Sequence, residues 1–311
     1  MKTHKAVTIL SWLIATLALV AAGAGVLWRS DNHYDFTTLR GEIVQMQGGG
    51  LYKFESVSGA AQLIAGDLVT LFVAIPLLVV AILLYRSRSL RSKLLLAGTL
   101  AYFLYTYTSL AMLAAYNELF LVYVALFSMS LFAFVMILME IDVPGLPARF
   151  SDRFPRRMIA GFALFLAAAL TLMWLGRIVP ALISGTPPFG LESYTTLVIQ
   201  VLDLGIIVPV ATVAGLLLLR RSPFGYLLAA IVLVKGFSMG AAVSAMAVAQ
   251  MLAGMQVSAA EATIFPLFTL VDVMLAVLML RSLKEVPAEL AQPRSDDVPQ
   301  STPTASVFTA S

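Results

Sequence analysis

Three charged side chains, Asp203, Lys235 and Asp272, lie inside otherwise apolar stretches of the sequence. A charge near the centre of a membrane costs about 2.5–3.5 kcal/mol, so we expect all three to face a protein interior and to find partners there. One lysine between two aspartates leaves a surplus negative charge, which protonation of an aspartate or entry of a cation would neutralise. A proton relay of this kind would suit a proton-coupled or cation-coupled transporter. The alternative is a structural ion pair that fastens three helices together.

The depths of these charges in their segments decide which of them can meet. By helix rise, Asp272 lies near the middle of its segment, with Lys235 about 4 Å and Asp203 about 6 Å from the middle of theirs, on opposite sides. The long lysine stem covers these differences, so Lys235 and Asp272 are predicted as the best pair and Asp203 as the second acidic neighbour. Asp67, about two turns into another apolar segment, either caps a helix at the interface or joins the relay.

Hydrogen-bonding side chains lie one helical turn from each of the three charges; these are Gln200, Ser238 and Thr269. A second polar stripe follows the third apolar segment, at Tyr102, Tyr105, Thr106 and Ser109. The seven side chains either line a cavity or hold helices together by interhelical hydrogen bonds. Trp28, Tyr52 and Trp174 lie near predicted membrane boundaries and are interpreted as an interfacial belt.

The composition indicates a polytopic membrane protein, since 60% of the 311 residues are hydrophobic and only 12% are charged. About 20 helical residues cross a hydrocarbon core of about 30 Å, where unpaired backbone groups are not tolerated, so the apolar runs must be helices. The predicted fold class is all-α, a transmembrane bundle of eight helices. The predicted spans are 7–28, 61–85, 94–116, 119–140, 158–178, 195–219, 225–250 and 262–281.

The sequence outside the spans divides into a long outer loop and a C-terminal tail. We assign residues 1–285 to the transmembrane bundle, including the polar, turn-rich outer loop at 29–60. Residues 286–311 are rich in Ser, Thr, Pro and Asp, which is typical of a disordered tail. Small residues after the first apolar run would also suit a cleaved signal peptide, but the length of that run favours a retained anchor.

Several kinds of chemistry are excluded or disfavoured by what the sequence lacks. It contains no cysteine, and its two histidines, His4 and His33, lie outside the predicted spans. HExxH, GxSxG and P-loop motifs are absent, so we predict no catalytic residue, no metal site and no cofactor. An enzyme would need Asp203 and Asp272 to converge as a pair of carboxylates that activates water, and no spacing requires this. A retinal-binding lysine at Lys235 is disfavoured because the preceding residues do not fit the typical Asp-x-x-Ala-Lys pattern.

The basic residues predict an orientation. Most of the 20 lysines and arginines fall at the N-terminus, after even-numbered spans and in the tail. Cytoplasmic segments retain such residues, so both termini are predicted to be cytoplasmic. The net charge of +3 therefore needs no nucleic acid partner. The predicted partners are the lipid bilayer and a small solute or a proton, and the sequence carries no signal for an oligomeric state.

The two halves of the chain share a pattern. Asp67 is followed by Pro76, and Asp203 is followed by Pro209, in each case before an aliphatic run that ends at arginine. A parallel 4+4 repeat would relate two four-helix units by an axis along the membrane normal. The two Asp-to-Pro spacings differ, so chance coincidence is the alternative.

Three short segments, Leu51–Val57, Gly66–Thr70 and Tyr116–Phe120, resemble multi-pass membrane proteins of bacteria that have no assigned activity. The resemblance implies a bacterial inner-membrane setting and assigns no site residue. The intramembrane charges make a proton- or cation-coupled small-solute transporter of the inner (plasma) membrane the leading hypothesis. The alternative is a non-catalytic membrane scaffold or sensor whose buried charges form a structural ion pair.

Overall fold

The protein forms a bundle of long helices, seen in a computed structural model that describes residues 3–30, 32–255 and 259–284. Within these residues eight helices are long and apolar enough to span a membrane, as predicted. They are α1 (Thr3–Leu27), α2 (Val57–Tyr85), α3 (Leu90–Leu113), α4 (Phe120–Leu138), α5 (Arg156–Ser184), α6 (Val198–Leu219), α7 (Pro223–Leu252) and α8 (Ala259–Arg281). The predicted tail at 286–311 lies outside the described residues.

The largest error in the predicted helix ends concerns α5. The prediction stopped at 178 before Pro180, but the helix continues through this proline to Ser184. In membrane helices a proline is tolerated because neighbouring groups satisfy the backbone that it frees. The helix ends instead at Gly185, whose φ of +70° is the left-handed conformation that glycine adopts readily at a helix end.

Helix α1 also begins earlier than predicted. It starts at Thr3 rather than residue 7, so His4 belongs to the helix, contrary to the expectation that it lies outside. The His4 ring packs edge-on against Tyr85 of α2 with ring centroids 4.4 Å apart. This aromatic contact fixes the start of α1 against the end of α2.

The start of α2 and the end of α3 are set by individual hydrogen bonds that hydropathy does not reveal. Helix α2 begins at Val57 rather than 61 because the Ser56 hydroxyl caps it, accepting a hydrogen bond of 2.9 Å from the Gly59 amide. Helix α3 ends at Leu113 rather than 116, where the amide of Ala115 donates to the Glu55 carboxylate over 2.7 Å. The predicted loop 29–60 is thereby shortened to 28–56.

This segment contains an antiparallel hairpin that the sequence analysis did not predict. Strand β1 (Tyr34–Thr37) pairs with β2 (Ile43–Met46), and Gly41 supplies a positive φ of +84° in the connecting turn. The rest of the segment packs against the helices through buried side chains, among them Tyr52. We call residues 28–56 the hairpin segment, and the end of the bundle that carries it the hairpin end.

Helices α3 and α7 form the centre of the bundle. Helix α3 packs against α2, α4 and α7, while α7 packs against α2, α3, α6 and α8. The two central helices meet at Gly98, where an added Cβ would lie 2.3 Å from the Cβ of Val234. A residue without a side chain is therefore required at this crossing. The close approach brings the polar stripe of α3 next to the helix that carries Lys235.

Helices α2 and α6 are each interrupted by one turn of π-helix. The wide turns span Thr70–Ala74 in α2 and Asp203–Ile207 in α6, and each is followed by a proline, Pro76 or Pro209. Such turns are rare and occur frequently at functional sites. In α6 the irregular turn begins at one of the three charges singled out in the sequence.

Candidate functional site

Asp203 lies at the first position of the π turn in α6 and joins α6 to two other helices. Its Oδ1 accepts a hydrogen bond of 2.6 Å from the Tyr105 hydroxyl of α3. Its Oδ2 accepts one of 2.9 Å from the indole Nε1 of Trp174 on α5. Both carboxylate oxygens thus accept hydrogen bonds from neutral donors, which lie on two different helices.

Trp174 is a site residue that sequence reasoning missed. Its place near a predicted membrane boundary led to the interpretation as a belt residue, but the indole N–H points at Asp203. A tryptophan whose N–H is buried usually finds an acceptor. No pattern in the sequence indicated this contact, because it depends on how α5 lies against α6.

Lys235 of α7 lies over the face of the Tyr105 ring. Its Nζ is 4.1 Å from the ring centroid, which is a close cation–π contact. Among the described residues, ion pairs within 4.0 Å are formed by Lys53 with Glu118 and by Lys93 with Glu140. Lys235 therefore forms no direct ion pair with either aspartate.

Asp272 of α8 is only 4% exposed and faces the backbone of α7. A Cβ added to Gly236 would lie 2.8 and 2.9 Å from the two carboxylate oxygens, so this glycine makes room for the acid. Within the described part of the chain, Oδ2 of Asp272 is buried without a hydrogen-bond partner. A buried carboxylate oxygen in this state is costly unless a proton, a cation or a water satisfies it.

Tyr105, Asp203, Lys235 and Asp272, together with Trp174, are called the charge cluster below. It draws on α3, α5, α6, α7 and α8, so five helices meet at it. The sequence predicts that Lys235 pairs with Asp272, whereas the structure places the ammonium on the ring of Tyr105. The expected direct Lys235–Asp272 pair is absent from the described residues because the ammonium lies on the aromatic face instead.

The predicted polar neighbours have different surroundings. The Ser238 hydroxyl, one turn after Lys235, is buried and has no hydrogen-bond partner among the described residues. Thr269 donates to the carbonyl of Phe265 over 2.8 Å, and its Oγ1 lies 3.5 Å from the Ser244 hydroxyl on α7. Thr269 therefore contributes to the α7–α8 contact, while Ser238 is a buried polar group without a described partner, one helical turn from Lys235.

The stripe on α3 divides between two neighbouring helices. The Tyr102 hydroxyl lies 3.1 Å from that of Thr70, at the start of the π turn in α2, whereas Tyr105 reaches the π turn of α6. Ser109 donates to the Tyr105 carbonyl over 2.9 Å and so bonds only its own helix. Thr106 is partly buried on the same helix. The two tyrosines thus connect α3 to both interrupted helices.

Asp67 is held by the hairpin segment. It is 5% exposed, and its Oδ2 accepts a hydrogen bond of 2.5 Å from the hydroxyl of Tyr52. A Cβ on Gly25 of α1 would lie 1.8 Å from the same oxygen, so the small residue there accommodates the carboxylate. Tyr52, which belongs to the hairpin segment, is buried against the helices rather than placed in an interfacial belt, and its contact with Asp67 was not predicted.

A second acidic contact ties the hairpin segment to the loop before α6. The buried Glu55 carboxylate accepts hydrogen bonds from the Ala115 amide (2.7 Å) and the Tyr194 hydroxyl (2.6 Å). The Ser56 hydroxyl next to it donates to Glu192. Burial raises the pKa of Glu55, an effect that the two hydrogen bonds oppose and the nearby Glu192 reinforces.

A groove of about 650 Å³ opens between the end of α5 and the start of α6. Its lining is mainly apolar, with polar contributions from Thr195, Thr196 and Gln200. Gln200 and Leu204 in this lining lie on either side of Asp203 along the chain. The groove thus approaches the charge cluster from the hairpin end, although Asp203 itself does not line it.

The described residues contain no group of three or more His, Cys, Asp or Glu side chains placed to hold a metal ion. No protein-family model, curated protein or solved structure matches the chain. The functional argument therefore depends on the geometry of the charge cluster.

Proposed function

We propose that the protein is a small-solute transporter that couples transport to a proton or a cation at the charge cluster. One observation carries this proposal: Asp272 is buried with an unpartnered oxygen, while Lys235 lies on the Tyr105 ring instead of pairing with it. A structural ion pair would stabilise the bundle through direct, hydrogen-bonded pairing of the two charges. A carrier instead needs a carboxylate that can accept and release a positive charge.

The coupling step is a change in the contacts of Asp203. A proton or a cation that binds at Asp203 and Asp272 competes with Lys235 for these carboxylates. Its binding shifts the packing of α6, α7 and α8. The π turn that begins at Asp203 gives α6 a local irregularity where such a shift can be absorbed. A change at one carboxylate would therefore move the hairpin-end part of α6 relative to the rest of the helix.

The proposed architecture is a parallel pair of four-helix units, α1–α4 and α5–α8. Aligned on their π turns, α2 and α6 match from Thr70 to Pro76 and from Asp203 to Pro209 with equal spacing. In this alignment Thr70, rather than Asp67, corresponds to Asp203. The equal spacing between π turn and proline in the two helices is the support for this architecture.

We place this bundle, residues 1–285, in a bacterial inner membrane with both termini and the tail at 286–311 in the cytoplasm. The support is the distribution of lysine and arginine in the sequence. The hairpin then lies on the periplasmic side of that membrane, and the groove opens toward the same side. In this orientation the charge cluster would be approached from outside through the groove and from inside only after a rearrangement of α6.

A membrane scaffold or sensor is the second candidate function, and the hairpin is the observation that favours it. Leu39 at its turn is 92% exposed and Ile43 on β2 is 73% exposed. Apolar side chains presented in this way on a surface often contact a partner or a membrane. In this reading the charge cluster would serve only the stability of the bundle.

Proton movement into proteoliposomes under an imposed pH gradient separates these functions. We expect the parent protein to move protons, and Asp272→Asn and Lys235→Met to lose this activity while remaining folded. Asp152→Asn, which changes an exposed aspartate between α4 and α5, serves as the matched control and should behave like the parent. A silent parent whose two cluster variants mainly lose thermal stability would support the scaffold.

A further inference from the structure

The charge cluster has the composition of a binding site for an organic cation. An aromatic face attracts a positive charge, and quaternary ammonium groups are typically recognised by aromatic rings. The face of Tyr105 already carries the ammonium of Lys235, 4.1 Å from its centroid. The lysine side chain therefore marks where a positively charged nitrogen is favoured.

The carboxylates complete this site without contacting the ammonium directly. Asp203 accepts a hydrogen bond from Tyr105, and the Asp272 carboxylate lies beside Gly236, the neighbour of Lys235, yet neither carboxylate lies within the 4.0 Å of an ion pair with the ammonium. Such a separation suits a methylated ammonium, whose methyl groups keep the nitrogen away from anionic oxygens. The buried Oδ2 of Asp272, which has no described hydrogen-bond partner, is the second and independent indication of a ligand.

An inorganic cation fits this arrangement less well. Metal ions are held by several oxygen, nitrogen or sulfur ligands at short distances. The described residues group no three His, Cys, Asp or Glu side chains for that purpose. An aromatic face with two separated carboxylates instead suits an organic ammonium ion, whose single positive charge is spread over the nitrogen and its substituents.

We infer that the transported solute is a small organic ammonium ion, which binds on the face of Tyr105 between Asp203 and Asp272 in place of the Lys235 ammonium. This inference rests on the proposed transport function. With both aspartates ionised, the cluster carries one surplus negative charge. If the entering cation causes Lys235 to release its proton to water, the total charge of the cluster is unchanged, and the binding of one ammonium ion releases one proton.

The groove beside α6 supplies a route to this site from the hairpin end. Its volume of about 650 Å³ exceeds that of a small ammonium ion, and its lining includes Gln200 next to the Asp203 turn. Since Asp203 does not line the groove, the last step requires a local movement of α6. The π turn that begins at Asp203 is the place where this movement is expected.

Binding of tetramethylammonium to the purified full-length protein tests the inference, with sodium at equal ionic strength as the comparison. In the parent we expect saturable binding and release of about one proton per bound cation into weakly buffered detergent solution. Lys235→Met should bind at least about tenfold more tightly, because the internal competitor is gone, and should release fewer protons per bound cation than the parent, because any release then comes from the carboxyl groups alone. Asp272→Asn should lose binding. The control Lys53→Met, which alters a lysine of the hairpin segment, should match the parent.

Tyr105 provides a second test that does not require Lys235 or Asp272 to be changed. Tyr105→Phe keeps the aromatic face and should keep tetramethylammonium binding, whereas Tyr105→Leu should lose it. Equal binding by both variants, or Lys235→Met binding no more tightly than the parent, would overturn the inference. Proton transport without ammonium binding would reject the organic-cation site and leave the carrier intact. Absence of both activities would reject the carrier as well.

Discussion

At the scale of single residues, the hydrogen bond from Trp174 to Asp203 is expected to stabilise the bundle. Trp174→Phe removes the indole donor and leaves Oδ2 of Asp203 without its 2.9 Å partner. This bond is partly buried, and loss of a typical intramolecular hydrogen bond costs about 0.5–1.5 kcal/mol, so the thermal midpoint in detergent should fall. Trp12→Phe is the matched control, since Trp12 of α1 is exposed on the bundle surface. Equal midpoints for the two variants would show that the Trp174 bond contributes nothing.

The buried Glu55 should give the protein a pH-dependent stability. Because burial raises the pKa of Glu55 above its unfolded value, its protonated form contributes stability at acidic pH. This contribution is lost as the pH rises through the folded-state pKa. Relative to Glu55→Gln, the parent should therefore be most stable at acidic pH and lose that advantage toward neutral pH. Thermal unfolding of both proteins across this range measures the difference, and a constant difference would contradict the assignment.

The partners of the charges were harder to predict than the charges themselves. Asp203, Lys235 and Asp272 were predicted from their apolar surroundings alone, since an intramembrane charge needs a polar environment. The bond from Tyr105 to Asp203 depends on how α3 lies against α6, which no local pattern encodes. Trp174 was misassigned because aromatic residues near a membrane boundary usually lie at the interface.

At the scale of helices, the contact between α7 and α8 should tolerate no added methyl group. A Cβ on Gly240 would lie 2.4 Å from Oγ1 of Thr269, so Gly240→Ala forces the two helices apart. Overpacking of this kind costs about 1–3 kcal/mol. In α5, nothing lies within 4 Å of a Cβ on Gly161, so Gly161→Ala should be neutral or slightly stabilising. Thermal midpoints of the two variants compare them, and an equal loss would contradict the described packing.

Helix number and order followed from hydropathy, whereas the helix ends and interruptions did not. Eight apolar runs were long enough to cross a membrane, and eight such helices are present in the described residues. The ends depend on single contacts, such as the Ser56 cap of α2 and the glycine after α5. The π turns add one residue per turn without a marker in the composition, although a proline follows each of them.

At the scale of the whole molecule, the absence of natural cysteine allows a direct test of orientation. Single cysteines at Leu39, in the hairpin turn, and at Asp152, between α4 and α5, should lie on opposite sides of the membrane. In intact cells whose outer membrane is permeabilised, a membrane-impermeant maleimide should label Leu39→Cys and leave Asp152→Cys unlabelled. The reverse pattern would place both termini outside and reject the proposed orientation.

The central claim is that the charge cluster exchanges protons or cations with water instead of serving as a structural ion pair that water does not reach. Infrared difference spectra of reconstituted protein between about pH 5 and about pH 9 report protonation of buried carboxyl groups directly. The account predicts a carboxylic acid band that disappears on alkalisation in the parent and is missing in Asp272→Asn, with Asp152→Asn behaving like the parent. Identical difference spectra for the parent and Asp272→Asn would mean that Asp272 does not exchange its proton, and would contradict the account.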